Sequence, residues 1–237
     1  MGIKEMRLEI LTMSEFEKTK GRLIIIPFGS IEEHGPHLPL GTDAIIAYEL
    51  VLAAAQKTDI LAAPPIYYGV CRSTKEHPGT ITISGRVLRN LTRDIIKGFV
   101  RQGCTRFILF SGHAGSIHMA SLKEVGEELL EENVVEKIAI LSILDLIDEK
   151  LGLETKNDSH AGELETSLMQ YLHLNWVKGE AIEDYPHFPS FLLVKNKRKY
   201  WPSGIWGNPK VANPTKGKKF FAQLVQKLMV IIEKLKE

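Results

Sequence analysis

Glu32, Glu33, His34, His37 and Asp43 crowd into one segment, GSIEEHGPHLPLGTD at residues 29–43. Carboxylates and imidazoles are the usual protein ligands for Zn, Mn and Fe. Glu32 and His34 are two residues apart, so in extended backbone their side chains point the same way. Asp43 lies beyond a Gly- and Pro-rich excursion and can fold back towards them. A carboxylate has two oxygens, so one such group can bridge two ions. A merely solvated polar loop is the bland alternative, but Gly and Pro at this density specify a fixed path. A second group is SGHAGS at 111–116, with His113 as a further ligand candidate. There Gly112, Ala114 and Gly115 permit close backbone approach. The N–H groups of a helix start can hold an anion or a developing oxyanion. The bland reading is a tight strand–helix turn. A third group is DSHAGELETS at 158–167, with His160, Glu163 and Glu165. Glu163 follows His160 by three residues and shares its face if a helix has begun. Glu165 is then expected to face elsewhere. Helix dipoles favour acidic residues at a helix start, which explains the glutamates but not the histidine.

These groups need rigid elements behind them. Leu23–Phe28 reads as a buried strand that ends directly at the first group. Arg106–Phe110 reads as another, ending at the second. Ile60–Ala63 and Lys137–Ile143 are the remaining strand candidates. Helical spacing predicts helices over Asp43–Gln56, Arg86–Gln102, Ser116–Glu132, Ala161–Leu172 and Pro214–Lys236. Thr42 or Asp43 is the expected cap of the first, Gly103 the stop of the second and Asn213 the cap of the last. Alternating strands and helices imply an α/β layered fold with a mostly parallel central sheet. Ligands of such sheets bind beyond the carboxyl ends of the strands. Residues 175–213 break the alternation and are rich in Pro, aromatic residues, Gly and Lys, a pattern often tied to function. No internal repeat or domain boundary is visible, so residues 1–237 read as a single domain.

The 237 residues suffice for one full core, and 44% hydrophobic with 25% charged residues is ordinary globular composition. A net charge of +1 argues against nucleic-acid binding driven by bulk charge. Cys71 and Cys104 are the two cysteines, too few for a disulfide framework and unlike a thiolate zinc motif. Both are expected to be reduced thiols. Residues 1–22 lack the apolar core of a secretory signal, and no stretch is apolar enough to span a bilayer. A cytoplasmic location is the default expectation.

The segments GSIEEHGPHLPLGTD, HPGT at 77–80, SGHAGS, SHAGELETS at 159–167 and GIWGNP at 204–209 run in a familiar order. Together they resemble the creatininase family, the creatinine amidohydrolases, over most of the chain. The resemblance implies a single-domain α/β fold with helices flanking the sheet. It also implies a site for two divalent ions (Zn, Mn or Fe), a small-molecule substrate and a homo-oligomer. Glu32, His34, Asp43 and His113 match the family's metal ligands, with Asp43 bridging, and His160 matches a catalytic histidine. Creatininase itself carries a ligand glutamate two residues after the match to His113, where this chain and many relatives have glycine, here Gly115. Glu163 is the expected substitute. The departure turns the expectation from creatinine towards members that deformylate a formylaminopyrimidine ribonucleotide. Creatinine hydrolysis and the trimming of a cofactor-precursor peptide are the alternatives. A non-catalytic metal-binding protein ranks last, since His160 and the ligands are present.

The implied reaction is attack of a metal-bridged hydroxide on an amide or formamide carbon, with His160 protonating the leaving amine. Gly112, Ala114, Gly115 and His77 are expected to contact substrate. His37 suits a structural hydrogen bond, and Glu165 either orients His160 or is structural. Trp201 and Trp206 suit stacking on a planar substrate or filling a subunit interface. The KNKRK run at 195–199 reads first as a solvated loop. A phosphate-binding surface, with Arg72 and Lys75 as further candidates, is the second reading, and nucleic-acid binding ranks last because the run is short and the overall charge near neutral.

Overall fold

A computed structural model describes residues 6–237. The first five residues of the stretch read as lacking a secretory signal lie outside it. The elements are α1 (Met13–Glu17), β1 (Leu23–Phe28), α2 (Thr42–Ala55), β2 (Ile60–Ala62), α3 (Gly85–Arg101), β3 (Arg106–Ser111), α4 (Ser116–Glu131), β4 (Lys137–Ser142), α5 (Glu163–His173) and α6 (Pro214–Lys236). The four strands form one sheet in the order β2-β1-β3-β4, and every pairing is parallel.

Pleating sorts the strand residues between two cores. Leu23 and Ile25 of β1, with Ile108 and Phe110 of β3, face a core shared with α2, α5 and α6. Ile24, Ile26 and Phe28, with Phe107 and Leu109, face a second core under α3 and α4. Both faces are covered, so the strands read as continuous apolar runs. Each aliphatic side chain buried this fully contributes about 1.5–3 kcal/mol. Among the described residues no helix is long and apolar enough to cross a membrane.

From β1 the chain passes to β2 on one side of it, then returns to place β3 on the other. The order therefore reverses between β1 and β3, and a crevice opens where the connections from their carboxyl ends diverge. The loop carrying Glu32, His34 and Asp43 leaves β1 there, and the turn carrying His113 leaves β3.

Two boundaries differ from expectation in ways that matter. The cap position of α2 is Gly41, which makes no side-chain capping bond, and neither Thr42 nor Asp43 caps the helix. The Thr42 hydroxyl instead donates to Pro39 O (2.7 Å), and the Asp43 carboxylate is turned into the crevice. Helix α5 starts at Glu163 rather than Ala161. Ala161 holds a left-handed φ of 49°, which interrupts the helix between His160 and Glu163. The Asp158 carboxylate accepts from Glu163 N (2.7 Å) and Leu164 N (2.9 Å) and so terminates the new helix.

Candidate metal centre

Asp43 is the hub of the crevice. Its Oδ1 lies 3.0 Å from His34 Nε2, and its Oδ2 lies 3.2 Å from His113 Nδ1. The Ser30 hydroxyl donates to Oδ2 (2.6 Å). Gly112 makes this approach possible, since a Cβ there would collide with the Asp43 backbone. The start of α2 is thus pressed against the end of β3.

On one side of Asp43 stand Glu32, His113 and Cys71, whose ligating atoms lie within 4.8 Å of one another. Glu32 Oε2 is 2.8 Å from His113 Nδ1. The Thr74 hydroxyl donates to Glu32 Oε1. His113 Nε2 faces Val70 O at 3.2 Å, an acceptor that fixes the proton there and leaves Nδ1 for the cluster. On the other side stand His34, Glu165 and His160, again within 4.8 Å. His34 Nδ1 faces Glu32 O at 3.0 Å, which leaves Nε2 turned to Asp43 and, at 3.8 Å, to Glu165 Oε2. Metal-ligating histidines characteristically give their second N–H to such a carbonyl or carboxylate. Both rings satisfy that pattern.

The electrostatics describe a pocket short of positive charge. Burial penalises His34, but Asp43 and Glu165 push its pKa up to about 10. His113 is likewise raised well above the usual imidazole value despite burial, by Glu32 and Asp43. Burial raises Glu32, but His113 holds it down at about 2. Burial itself raises Glu165. Without a cation, protonated rings must balance the carboxylates. Divalent ions do the same with the donor atoms already converged, so the residues present fit a metal centre.

His160 sits beside this cluster, with its ring centroid 4.3 Å from that of His34. Its Nε2 approaches Glu33 O at 2.8 Å and the Glu33 carboxylate at 3.6 Å. A two-way backbone bridge to Trp206 fixes it: Trp206 N donates to His160 O (2.8 Å) and His160 N to Trp206 O (3.1 Å). The Glu33 hydrogen bond, with Glu32 and Glu165, raises the His160 pKa against burial and the proximity of His34. A cleft of about 210 Å³ opens over the centre, lined by Glu32, Asp43, His113, His160, Glu165 and the backbone of Gly112–Gly115. Arg72, Trp201 and Trp206 complete its wall.

Several expected placements need correction. Glu163 is directed away from the cluster: its Oε2 accepts from Glu154 N (2.9 Å) and Thr155 N (2.7 Å), and its Oε1 pairs with Lys216 (2.9 Å). Glu165 takes the place foreseen for it, because helix α5 begins two residues late and its phase is turned. Glu163→Gln is therefore expected to leave metal content unchanged and to lower stability by about 1–3 kcal/mol, through the weakened Lys216 bond. Thermal unfolding alongside metal analysis checks both halves; loss of metal would return Glu163 to the centre. His77 does not line the cleft. Its Nε2 meets Trp201 O at 2.7 Å and its ring packs edge-on against the Trp201 indole, so it supports the wall from behind. Lys75 also stays outside and pairs with Glu76 (3.3 Å). The 195–199 run is largely exposed, in keeping with a solvated loop. His37 makes the structural hydrogen bond its position suggested, with Thr166 Oγ1 at 2.8 Å, and burial drops its pKa to about 4.

Two neighbours escaped sequence reasoning. His118, in the first turn of α4, is fully buried, and burial drives its pKa down to about 3. It accepts from Val70 N (3.2 Å) and so anchors the residue whose carbonyl orients His113. Helical periodicity gives it only as a core position. Cys71 reaches the cluster from an irregular stretch with no motif. Burial, then Glu32 and Asp43, push its thiol pKa up.

A family model described as "Creatininase: Creatinine amidohydrolase" matches residues 9–232. The mycofactocin precursor peptide peptidase of Mycobacterium ulcerans is 29% identical over 216 residues, covering 85% of this chain and 81% of that protein. The creatinine amidohydrolase of Pseudomonas putida is 25% identical over 238 residues, covering 91% and 92%. A solved mutant creatininase of Zn-Zn type superposes with a TM-score of 0.85 at 23% identity, covering 98% of this chain and 99% of that one.

Proposed function

The chain belongs to the creatininase family, which includes amidohydrolases acting on C–N bonds, and from that premise we propose that it opens an amide or formamide bond in a small nitrogenous metabolite with two divalent ions. Glu32, Asp43 and His113 would hold one ion, and His34, Asp43 and Glu165 the other, with Asp43 shared. The observation that carries this reading is the matched orientation of His34 and His113. Each gives its far nitrogen to a backbone carbonyl and its near one to the Asp43 carboxylate. The Zn-Zn form of the creatininase relative supports the count of two. Zn, Mn and Fe all suit these donors.

Bound ions would supply a deprotonated water near neutral pH and positive charge for the carbonyl oxygen. The protein's own groups do the rest. The Gly112–Gly115 backbone forms the cleft floor on which the carbonyl would rest. His160, with its raised pKa, keeps a proton to give to the leaving nitrogen. Trp201 and Trp206 offer ring surface to a planar substrate. Arg72 supplies a cation at the wall for an anionic substituent such as a ribose phosphate. That charge, and the absence of a side chain at Gly115, favour a formylaminopyrimidine ribonucleotide over neutral creatinine. Likeness to the mycofactocin precursor peptidase favours a second reading, the trimming of a short peptide. The exposed Phe191, Leu192 and Leu193 of the irregular segment support a homo-oligomer.

The protein loaded in turn with Mn, Zn and Fe, offered a formylaminopyrimidine ribonucleotide, creatinine and short peptides, is expected to release formate from the first. Cleavage of the peptides alone would transfer the assignment to the second reading. Metal-loaded protein inert towards every C–N substrate would end the hydrolase reading.

A further inference from the structure

Cys71 is one of only two cysteines in the chain and is buried to 1% exposure against the metal centre. Its sulfur lies with the ligating atoms of Glu32 and His113, all within 4.8 Å of one another. The Ser30 hydroxyl ties this position together, lying 3.1 Å from Glu32 Oε2 and 2.6 Å from Asp43 Oδ2. Its backbone is fixed independently. Cys71 N donates to Thr82 Oγ1 (2.9 Å), and the preceding Val70 is held by both His118 and His113. One short segment therefore orients the His113 ring through a carbonyl and delivers a sulfur to the same position.

We propose that the Cys71 sulfur is a metal ligand, closing a Glu32–Asp43–His113–Cys71 set around one of the two ions. The proposal rests on the metal-centre reading above and adds to it a donor of different chemistry. Coordination replaces the S–H bond with an S–metal bond, and the proton leaves to solvent. The two positions then differ in kind. The His34–Asp43–Glu165 position offers only nitrogen and oxygen. The Cys71 position offers a soft thiolate, which selects thiophilic ions such as Zn(II), Co(II) or Cd(II) over Mn(II). The centre would fill unequally, with the thiophilic ion entering at Cys71 first.

Titration of the metal-free full-length protein with Co(II) tests this without reference to turnover. The expected result is a thiolate-to-cobalt charge-transfer band in the near ultraviolet that grows with the first equivalent and then saturates. Cys104→Ser should keep the band. Cys71→Ser should bind cobalt without it and should bind Cd(II) more than about tenfold more weakly. Should Cys71→Ser fail to fold, the wild-type and Cys104→Ser spectra, with metal protection of one thiol from alkylation, still decide the matter. Cobalt bound by the wild type with no charge-transfer band would overturn the ligation of Cys71 alone. No cobalt bound at all would overturn the metal-centre reading and this proposal with it.

Discussion

Asp43→Asn is expected to leave the chain folded and to cost both metals, lowering turnover by more than about 100-fold, the upper end of what loss of a mere supporting partner costs. Both carboxylate oxygens are committed, one to each side of the centre. An amide presents one acceptor oxygen where the carboxylate presents two, and it brings no charge. The Ser30 hydroxyl can still donate to the amide oxygen, and the backbone contact at Gly112 does not depend on the side chain. The fold should therefore survive. Circular dichroism, elemental metal analysis and rates measured on one preparation separate these effects. Retention of two equivalents of metal would remove Asp43 from the bridging role. Retention of one would mean that the two positions do not share it.

His160→Gln is expected to keep the metals and to lower kcat by about 10²–10⁴, the usual worth of a positioned general acid. The Glu33 contact, which does not depend on the ions, holds the His160 pKa up and sets the sign of the pH dependence. The group donates its proton when protonated, so wild-type kcat should fall only as pH rises through and above the ordinary imidazole range. The variant should lose that alkaline limb. His160 lies close enough to His34 and Glu165 to serve as a ligand instead. Metal content discriminates: a variant that loses an ion along with its activity would reassign His160 from proton donor to ligand.

The part of the centre that the sequence made legible is the part borne by regular elements. Leu23–Phe28 and Arg106–Phe110 are apolar runs with abrupt polar ends, so the segments after them fall at one rim of the sheet. The sequence alone thus places Glu32, His34, Asp43 and His113 together, as the structure does. The α/β class came from the same alternation of strands and helices. What failed depended on phase. Glu163 and Glu165 differ by two residues, about 200° around a helix, so the answer turned on where α5 begins. Ala161 in a left-handed conformation and Asp158 reaching forward to the helix start move that beginning, and neither has a sequence signature. Cys71 and His118 were hidden for another reason. Glu32 and His113 lie about 40 residues from Cys71, and Val70 lies 48 from His118, so only tertiary packing joins them. His77 was read from its motif, yet the residue it serves, Trp201, lies in the irregular segment whose path no periodicity describes.

During synthesis these parts would not come together at once. Strands β1 and β3 can pair as soon as residue 111 has left the ribosome, and residue 113 follows directly, so Glu32, His34, Asp43 and His113 are available to an ion early. His160 must wait. Its backbone is bridged to Trp206, and the cluster of α5 is completed by Phe220, Leu224 and Leu228 of the final helix. Residues emerge from the amino end during synthesis, and the domain completes its packing as a unit. The order of the ligands along the sequence thus separates capture of an ion from competence to use it. The donors of the first ion precede the proton donor in the chain, whereas Glu165 and His160 are set only once α5 has gained its packing partner in the last helix.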